Sequence, residues 1–334
     1  MRKYMDEKEK IINAYKAMVL SRTLDKKIVM SQRQGRVGFY TPTMGQEATQ
    51  VGLSMALEDQ DILFEYYRDV PLMLHRGVDP GTIIDQIMGN SSDKEKGRQM
   101  PSHYTARDHN FMSVQSPVAT NLPLAVGAAY SIRYFKRDGI VLATFGDGST
   151  STPDFHAALN IAADFDLPVV FLCENNKWAI SLPVEKQTRA EIWKKADAYG
   201  MRGVKVDGND LLEMYKVSKE EIDRVRVDGK PVLIEAVSYR MGPHSTSDDP
   251  SKYRADDVKE GSDKDPIVIA ERKLKMLNYI DDQTIEKIKT DAKERIDRIF
   301  DEREKIAPPA PETMFQDVYE NSNWIIDEER GEIL

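Results

Sequence analysis

GIVLATFGDGSTSTPDFHAALNIAADFDLPVVFLCENN, residues 139–176, decides the fold. Gly139–Phe145 is an apolar run of the kind found in strands buried on both faces. Residues 146–151 form a polar turn, and Thr152-Pro153-Asp154 reads as the N-cap and first turn of a helix reaching about Asp164. Pro168–Cys173 is a second buried strand. Strand, helix and strand at this spacing make the right-handed crossover of a parallel sheet. Ligands of such sheets bind at the carboxyl ends of the strands, so Asp147, within Gly146-Asp147-Gly148, is expected to point into the crevice. Twenty-six residues separate Gly148 from Asn175-Asn176, which close the next strand, so one crossover brings Asp147 and Asn176 side by side. A carboxylate, an amide oxygen and a nearby carbonyl are hard ligands suited to magnesium, with diphosphate oxygens and water completing an octahedron. The glycines admit close backbone approach, and the N–H groups after them can face phosphates. An Asp between glycines is by itself an ordinary turn; its pairing with Asn176 at a matched strand end makes it a site.

Working outward, Ile11, Ile12, Tyr15, Val19 and Ile28 predict an amphipathic helix over 6–34. A turn at 35–45 precedes a helix over 45–58, and Ile62–Tyr67 reads as a strand. Residues 89–104 are polar and form a loop. A helix over 122–136, with Pro123 in its first turn, carries Ala125, Gly127, Ala128 and Ala129, which suit close packing on a sheet. Strands are expected at Gly203–Val206 and Pro231–Tyr239, with a helix at 210–226 between them. Helices near 266–278 and 282–305 follow, stopped by Pro308, Pro309 and Pro311. No repeat and no second strand–helix alternation is present. The expectation is a single diphosphate-binding α/β domain over 1–334, with its core at about 45–240, an N-terminal helix at 6–34 and a helical tail at 265–334. Its sheet is mostly parallel, with helices on both faces.

Composition narrows the function. A net charge of −9 argues against binding along nucleic acid. No stretch of 18 apolar residues offers a membrane span. The lone Cys173, in an apolar run, reads as a core residue and excludes an intrachain disulfide. The start, MRKYMDEKEK, has no apolar signal core, so a soluble cytoplasmic protein is expected.

Gly146-Asp147-Gly148 and Asn175-Asn176 at this spacing resemble the thiamine diphosphate motif. RQGRVGFYTPTMGQEA (32–47), YRDVP (67–71), KGRQMPSHY (96–104), SPVATNLPLAVGAAY (116–130), VDGND (206–210) and YRMGPHSTSDDPSKYR (239–254) extend the likeness over roughly residues 10–320. Together these stretches resemble the alpha subunits of 2-oxo acid dehydrogenases. The branched-chain members fit best, through KGRQMPSHY, SPVAT and HSTSDD.

The resemblance implies Asp147 and Asn176 as magnesium ligands, with the Trp178 carbonyl as the third. It places Gly146, Gly148 and Ser149 in the diphosphate turn, and Tyr67 and Arg68 on the phosphate, where a phenol beside a guanidinium suits an anion. It sets Ser116 and Val118 against the aminopyrimidine, and it implies a potassium-holding loop at Gln115–Asn121. His244, in a loop rich in Gly, Pro, Ser and Asp, resembles the family histidine that contacts the diphosphate and moves protons during acyl handover. His75, His109 and His156 say little, and His103 lines the entrance at most. The chain departs from the family at Glu174, where branched-chain relatives often carry an arginine, and at Trp178, which replaces a common tyrosine. Ser245 matches a phosphorylation site of animal relatives, but Ala255 stands where a second serine is expected, so kinase control does not carry over.

The implied activity is oxidative decarboxylation of a branched-chain 2-oxo acid with acyl transfer to a lipoyl group, dependent on thiamine diphosphate. The glutamate that activates the cofactor belongs to a second domain this sequence lacks. A beta subunit, in an α2β2 assembly, and a lipoyl-bearing dihydrolipoyl acyltransferase are therefore the expected partners. The rival readings are pyruvate or acetoin oxidation on the same fold, and a noncatalytic scaffolding subunit. A self-sufficient decarboxylase would need a longer chain.

Overall fold

The computed structural model describes residues 6–254 and 263–334; Ala255 lies outside the described residues. Helix α1 (Glu7–Arg33) buries Ile11, Tyr15, Met18, Leu24 and Ile28, the stripe its spacing predicts. Helix α2 (Glu47–Ser54) is buried throughout. Strand β1 (Ile62–Phe64) ends three residues short of the expected Tyr67. The reason is local, since Tyr66 N donates to Thr144 Oγ1 (3.2 Å) and Asp69 Oδ2 (3.1 Å) instead of to a strand. Helices α3 (Val70–His75) and α4 (Pro80–Met88) were not anticipated. The signals for α4 were nevertheless in the sequence, with Asp79 capping Gly81 N at 2.7 Å and Gly89 closing the helix in the left-handed region at φ 59°.

Residues 89–104 hold neither helix nor strand, as expected. The chain then forms α5 (Asn121–Tyr134), β2 (Val141–Gly146), a tight 3-10 turn (Asp147–Ser151), α6 (Pro153–Asp164) and β3 (Val169–Asn175). A small antiparallel hairpin of β4 (Trp178–Ala179) and β5 (Leu182–Pro183) runs into α7 (Val184–Gln187), and none of these three was foreseen. After them come β6 (Arg202–Asp207), α8 (Leu211–Asp228), β7 (Val232–Val237), α9 (Pro266–Met276), α10 (Asp282–Arg303) and α11 (Trp324–Ile333).

Five strands form one sheet in the order β1-β2-β3-β7-β6, and every pair is parallel. One face packs on α1, α3, α4 and α8 through Leu142, Leu172, Ile234, Ile83 and Ile222. The other packs on α5 and α6 through Ala143, Phe145, Phe171, Phe155 and Leu159. Each such Leu, Ile or Phe side chain, fully buried, contributes about 1.5–3 kcal/mol. Outside these layers, α9 and α10 close over α1 and α2 through Ile267, Leu274, Ile285 and Ile288. The arrangement is the α/β class expected, with helices on both faces and helical extensions at both ends.

Helix α5 meets its expectation only in part. Ala125 and Ala129 are buried on the sheet, but a Cβ on Gly127 would meet nothing within 4 Å. Gly127 therefore serves no close approach among the described residues. Gly45 does: at φ +101° its Cβ would lie 1.9 Å from the Tyr239 carbonyl, so the 35–45 turn runs directly against the segment leaving β7.

Candidate functional site

The sequence-predicted residues converge because they follow adjacent parallel strands. Tyr67 and Arg68 come after β1, Asp147 after β2, Asn176 and Trp178 after β3, and Arg240 and His244 after β7. The β2–β3 register sets Gly146 opposite Glu174, so Asp147 and Asn176 leave matched strand ends. This is the crevice that doubly wound sheets reserve for ligands.

Asp147 is almost fully buried, and burial pushes its carboxyl up to about 6. Its Oδ2 accepts from Gln187 Nε2 at 2.7 Å. Asn176 Oδ1 accepts from Trp178 N at 3.2 Å, and the Trp178 carbonyl accepts from Arg240 Nη1 at 3.1 Å. The three groups expected to hold a metal, the Asp147 carboxylate, the Asn176 amide and the Trp178 carbonyl, thus each accept from a protein donor. The hairpin lies over the diphosphate turn, where a Cβ on Gly148 would stand 3.0 Å from Ala179 Cβ. Gly146 is not similarly crowded. Ser149 is buried, and its carbonyl accepts from Thr152 Oγ1 at 2.8 Å.

Beside this oxygen set lies concentrated positive charge. Arg68 and Arg240 are both 1% exposed. Arg68 donates to the carbonyls of Pro42 and His244; Arg240 donates to those of Trp178 and Ile180 and to the Tyr253 hydroxyl. Buried Arg254 reaches the carbonyls of Arg240 and Gly242. Among the described residues no carboxylate forms an ion pair with any of these three arginines, whereas Arg22 and Arg226 sit on Glu47 and Asp61. Burial, then Arg68, depresses Arg240 to about 10. Burying guanidinium groups without a counter-charge is costly, so the site fits a polyanion.

His244 is half-buried, with Nδ1 3.3 Å from Arg68 Nη2 and its backbone N–H donating to Asp248 Oδ2 at 2.7 Å. A guanidinium only donates, so Nδ1 accepts and the hydrogen of the neutral ring sits on Nε2. Burial, then Arg68 and Arg240, lowers its pKa to about 3. Tyr67 packs edge-on against this ring at 6.1 Å and lies 5.2 Å beneath the Arg68 guanidinium. The 240–254 loop is better bonded than its composition suggests, since Tyr253 OH donates to Asp248 and Thr246 N to the Tyr40 carbonyl. Ser245 is buried within it.

Ser116 is exposed and Val118 is 58% exposed, both ahead of α5. Ser116 Oγ lies 2.6 Å from His103 Nε2, and His103 Nδ1 lies 3.3 Å from the Pro101 carbonyl. That pairing gives His103 a definite place at the rim, which the sequence did not. In the Gln115–Asn121 loop, the Asn121 amide is spent on the carbonyls of Phe64 and Thr144, tying the loop to the ends of β1 and β2.

Glu174 is fully buried and accepts from Gln50 Nε2 (2.9 Å) and Tyr66 OH (3.1 Å). Burial, then neighbouring Asp69, holds its carboxyl well above the usual range. Gln50, Tyr66, Asp69, Gln187, Arg240 and Arg254 all escaped the sequence reading. Of these, Asp69, Arg240 and Arg254 lay in stretches that resemble the family, the two arginines each following a tyrosine.

Fold and site together define a parallel α/β chain whose strand ends gather oxygen acceptors beside buried arginines. The dehydrogenase E1 component family matches residues 15–312, and the chain belongs to it. Membership implies use of thiamine diphosphate. The chain is 39% identical over 315 residues to the mitochondrial 2-oxoisovalerate dehydrogenase subunit alpha of Bos taurus, covering 93% of this chain and 69% of that protein. It is 38% identical over 316 residues to the Homo sapiens protein of the same name, covering 94% and 71%. It is 40% identical over 315 residues to subunit alpha 2 of Arabidopsis thaliana, covering 93% and 67%.

Proposed function

We propose that this chain is the alpha subunit of the decarboxylating component of a branched-chain 2-oxo acid dehydrogenase complex. The observation that carries the reading is its likeness, over more than nine-tenths of its length, to relatives named as 2-oxoisovalerate dehydrogenase alpha subunits. The buried, carboxylate-free arginines beside Asp147 support it independently. Bound thiamine diphosphate supplies the electron sink for decarboxylating a 2-oxo acid.

The chain's own residues hold and orient that group. Arg68 and His244, with Tyr67 beside them and Arg240 on the far side, take the diphosphate charge. Gly146, Gly148 and Ser149 present backbone at the turn. Asp147, the Asn176 amide oxygen and the Trp178 carbonyl take a magnesium ion. Ser116 and Val118 meet the aminopyrimidine ring. His244, neutral and with hydrogen on Nε2, donates a hydrogen bond from that atom to the oxygen of the reacting group during acyl handover. A potassium ion in the Gln115–Asn121 loop is a further part of the proposal, and it predicts potassium-dependent protection of that loop from proteolysis.

The partner is a beta subunit, in an α2β2 assembly that hands acyl groups to a lipoyl-bearing dihydrolipoyl acyltransferase; the expected location is cytoplasmic, which cell fractionation tests. The deciding assay measures decarboxylation of 4-methyl-2-oxopentanoate and of pyruvate by the co-expressed pair. Preference for the branched substrate is expected, and preference for pyruvate would reassign the chain. Full turnover by the purified chain alone would refute the divided site.

A further inference from the structure

Gln187 lies outside the motifs that first suggested the family, yet it makes the side-chain contact to Asp147 at the mouth of the site. It ends α7, the short helix that follows the β4–β5 hairpin. Its Nε2 donates to Asp147 Oδ2 at 2.7 Å and to the Leu182 carbonyl at 3.1 Å. One amide group therefore holds the hairpin's return arm and the carboxylate together. Its Oε1 lies 3.9 Å from where a Cβ on Gly148 would stand, so the amide rests against the diphosphate turn itself.

We propose that Gln187 is a positioning residue for the divalent cation, fixing the Asp147 carboxylate so that Oδ1 is the oxygen presented to the metal. The inference rests on the reading of Asp147 as a metal ligand and extends it to a residue forty positions further along the chain. A carboxylate on one Cα–Cβ stem rotates about χ1 and χ2, and a monodentate metal bond needs one rotamer. A donor fixed on Oδ2 from a second element selects that rotamer before the ion arrives. Outer partners of this kind govern metal affinity strongly. The hairpin adds a second restraint, because its first strand carries the Trp178 carbonyl and the helix that follows its second strand ends on Gln187. The same small unit thus supplies one ligand and orients another.

The test uses the co-expressed complex, with Mn2+ as the metal probe at a fixed, saturating concentration of thiamine diphosphate. Calorimetry gives the Mn2+ dissociation constant for the parent, Gln187→Leu, Gln187→Asn and Asp147→Asn. Thermal unfolding is followed with and without Mn2+ to separate metal binding from the fold. Gln187→Leu keeps the side-chain bulk and removes the donor; its Mn2+ affinity should fall about 10–100-fold, the usual cost of losing an outer partner. Its metal-induced rise in unfolding midpoint should shrink in step. Gln187→Asn, one methylene short, should show the same direction and guards against a Leu variant that fails to fold. Parent-like Mn2+ affinity in a folded Gln187 variant, with only the metal-free midpoint lowered, would make Gln187 a mere staple of the hairpin and overturn the proposal. Asp147→Asn separates the two readings: if it too binds Mn2+ like the parent, the metal site itself is misplaced. If it alone loses binding, only the role of Gln187 falls.

Discussion

Arg68 Nη2 donates to the His244 carbonyl at 3.1 Å and lies 3.3 Å from His244 Nδ1, so the guanidinium after β1 and the imidazole after β7 form one unit. The contact spans the sheet's crevice and fixes the ring tautomer. It also leaves a buried cation whose partners are carbonyls and an imidazole nitrogen, with no carboxylate among the described residues, a state that a bound anion relieves.

Arg68→Met should therefore weaken thiamine diphosphate binding by about 10–100-fold, the equivalent of one or two charge-assisted hydrogen bonds. Arg68→Lys should recover only part of that loss, because a point charge cannot bridge His244 and a phosphate as a planar fork does. Cofactor titration by calorimetry reads the difference, and equal affinity in Met and parent proteins would remove Arg68 from the site.

Asp147→Ala should abolish magnesium-dependent cofactor binding while circular dichroism shows a retained fold. The pH dependence follows from the direction of its shift. Burial raises the folded carboxyl to about 6, so its contribution to metal-free stability is full below about 4, the unfolded value, and lost as pH rises through 6. Magnesium cancels that penalty, so the magnesium-induced rise in unfolding midpoint should grow between pH 5 and pH 7. A rise that is flat with pH would contradict the assignment.

His244 has the opposite sign. Its folded pKa is lowered to about 3, so its contribution is present above about 6.5 and lost as pH falls toward 3. The cofactor-free protein should lose midpoint on acidification through this window, and His244→Asn should flatten that arm. In turnover assays the variant should lose acyl transfer to lipoyl acceptors more than decarboxylation scored with an artificial electron acceptor. Equal losses would place His244 in cofactor binding alone.

His103 and Ser116 should behave as one device. Their 2.6 Å contact orients the Ser116 hydroxyl at the rim. His103→Ala and Ser116→Ala should each raise the cofactor dissociation constant by a similar few-fold factor, and the double variant should add little. Additive losses in the cycle would show that the two side chains act separately.

The central crossover was legible because its signals are local. Apolar runs define β2 and β3, Thr152 and Pro153 start α6, and the spacing of Asp147 and Asn176 follows from one turn of the sheet. The terminal helices were legible for the same reason, as in the Ile285, Ile288, Ala292 and Ile296 stripe of α10. Helix α4 was missed despite its Asp79 cap, and β1 was drawn too long because Tyr66 N–H finds side-chain acceptors rather than a strand.

The sequence by itself thus determined the parallel sheet and the strand ends at which Asp147, Asn176, Arg68 and His244 gather. Only the tertiary structure decided which groups press on them: Gln187 on Asp147, Arg240 on the Trp178 carbonyl, His103 on Ser116, and Glu174 turned into a buried pair with Asp69. Periodicity and capping act between residues a few positions apart and leave a mark on the chain. Contacts made when a hairpin folds back, or when loops from four strands meet, join residues 13 or more positions apart, and no local pattern records them.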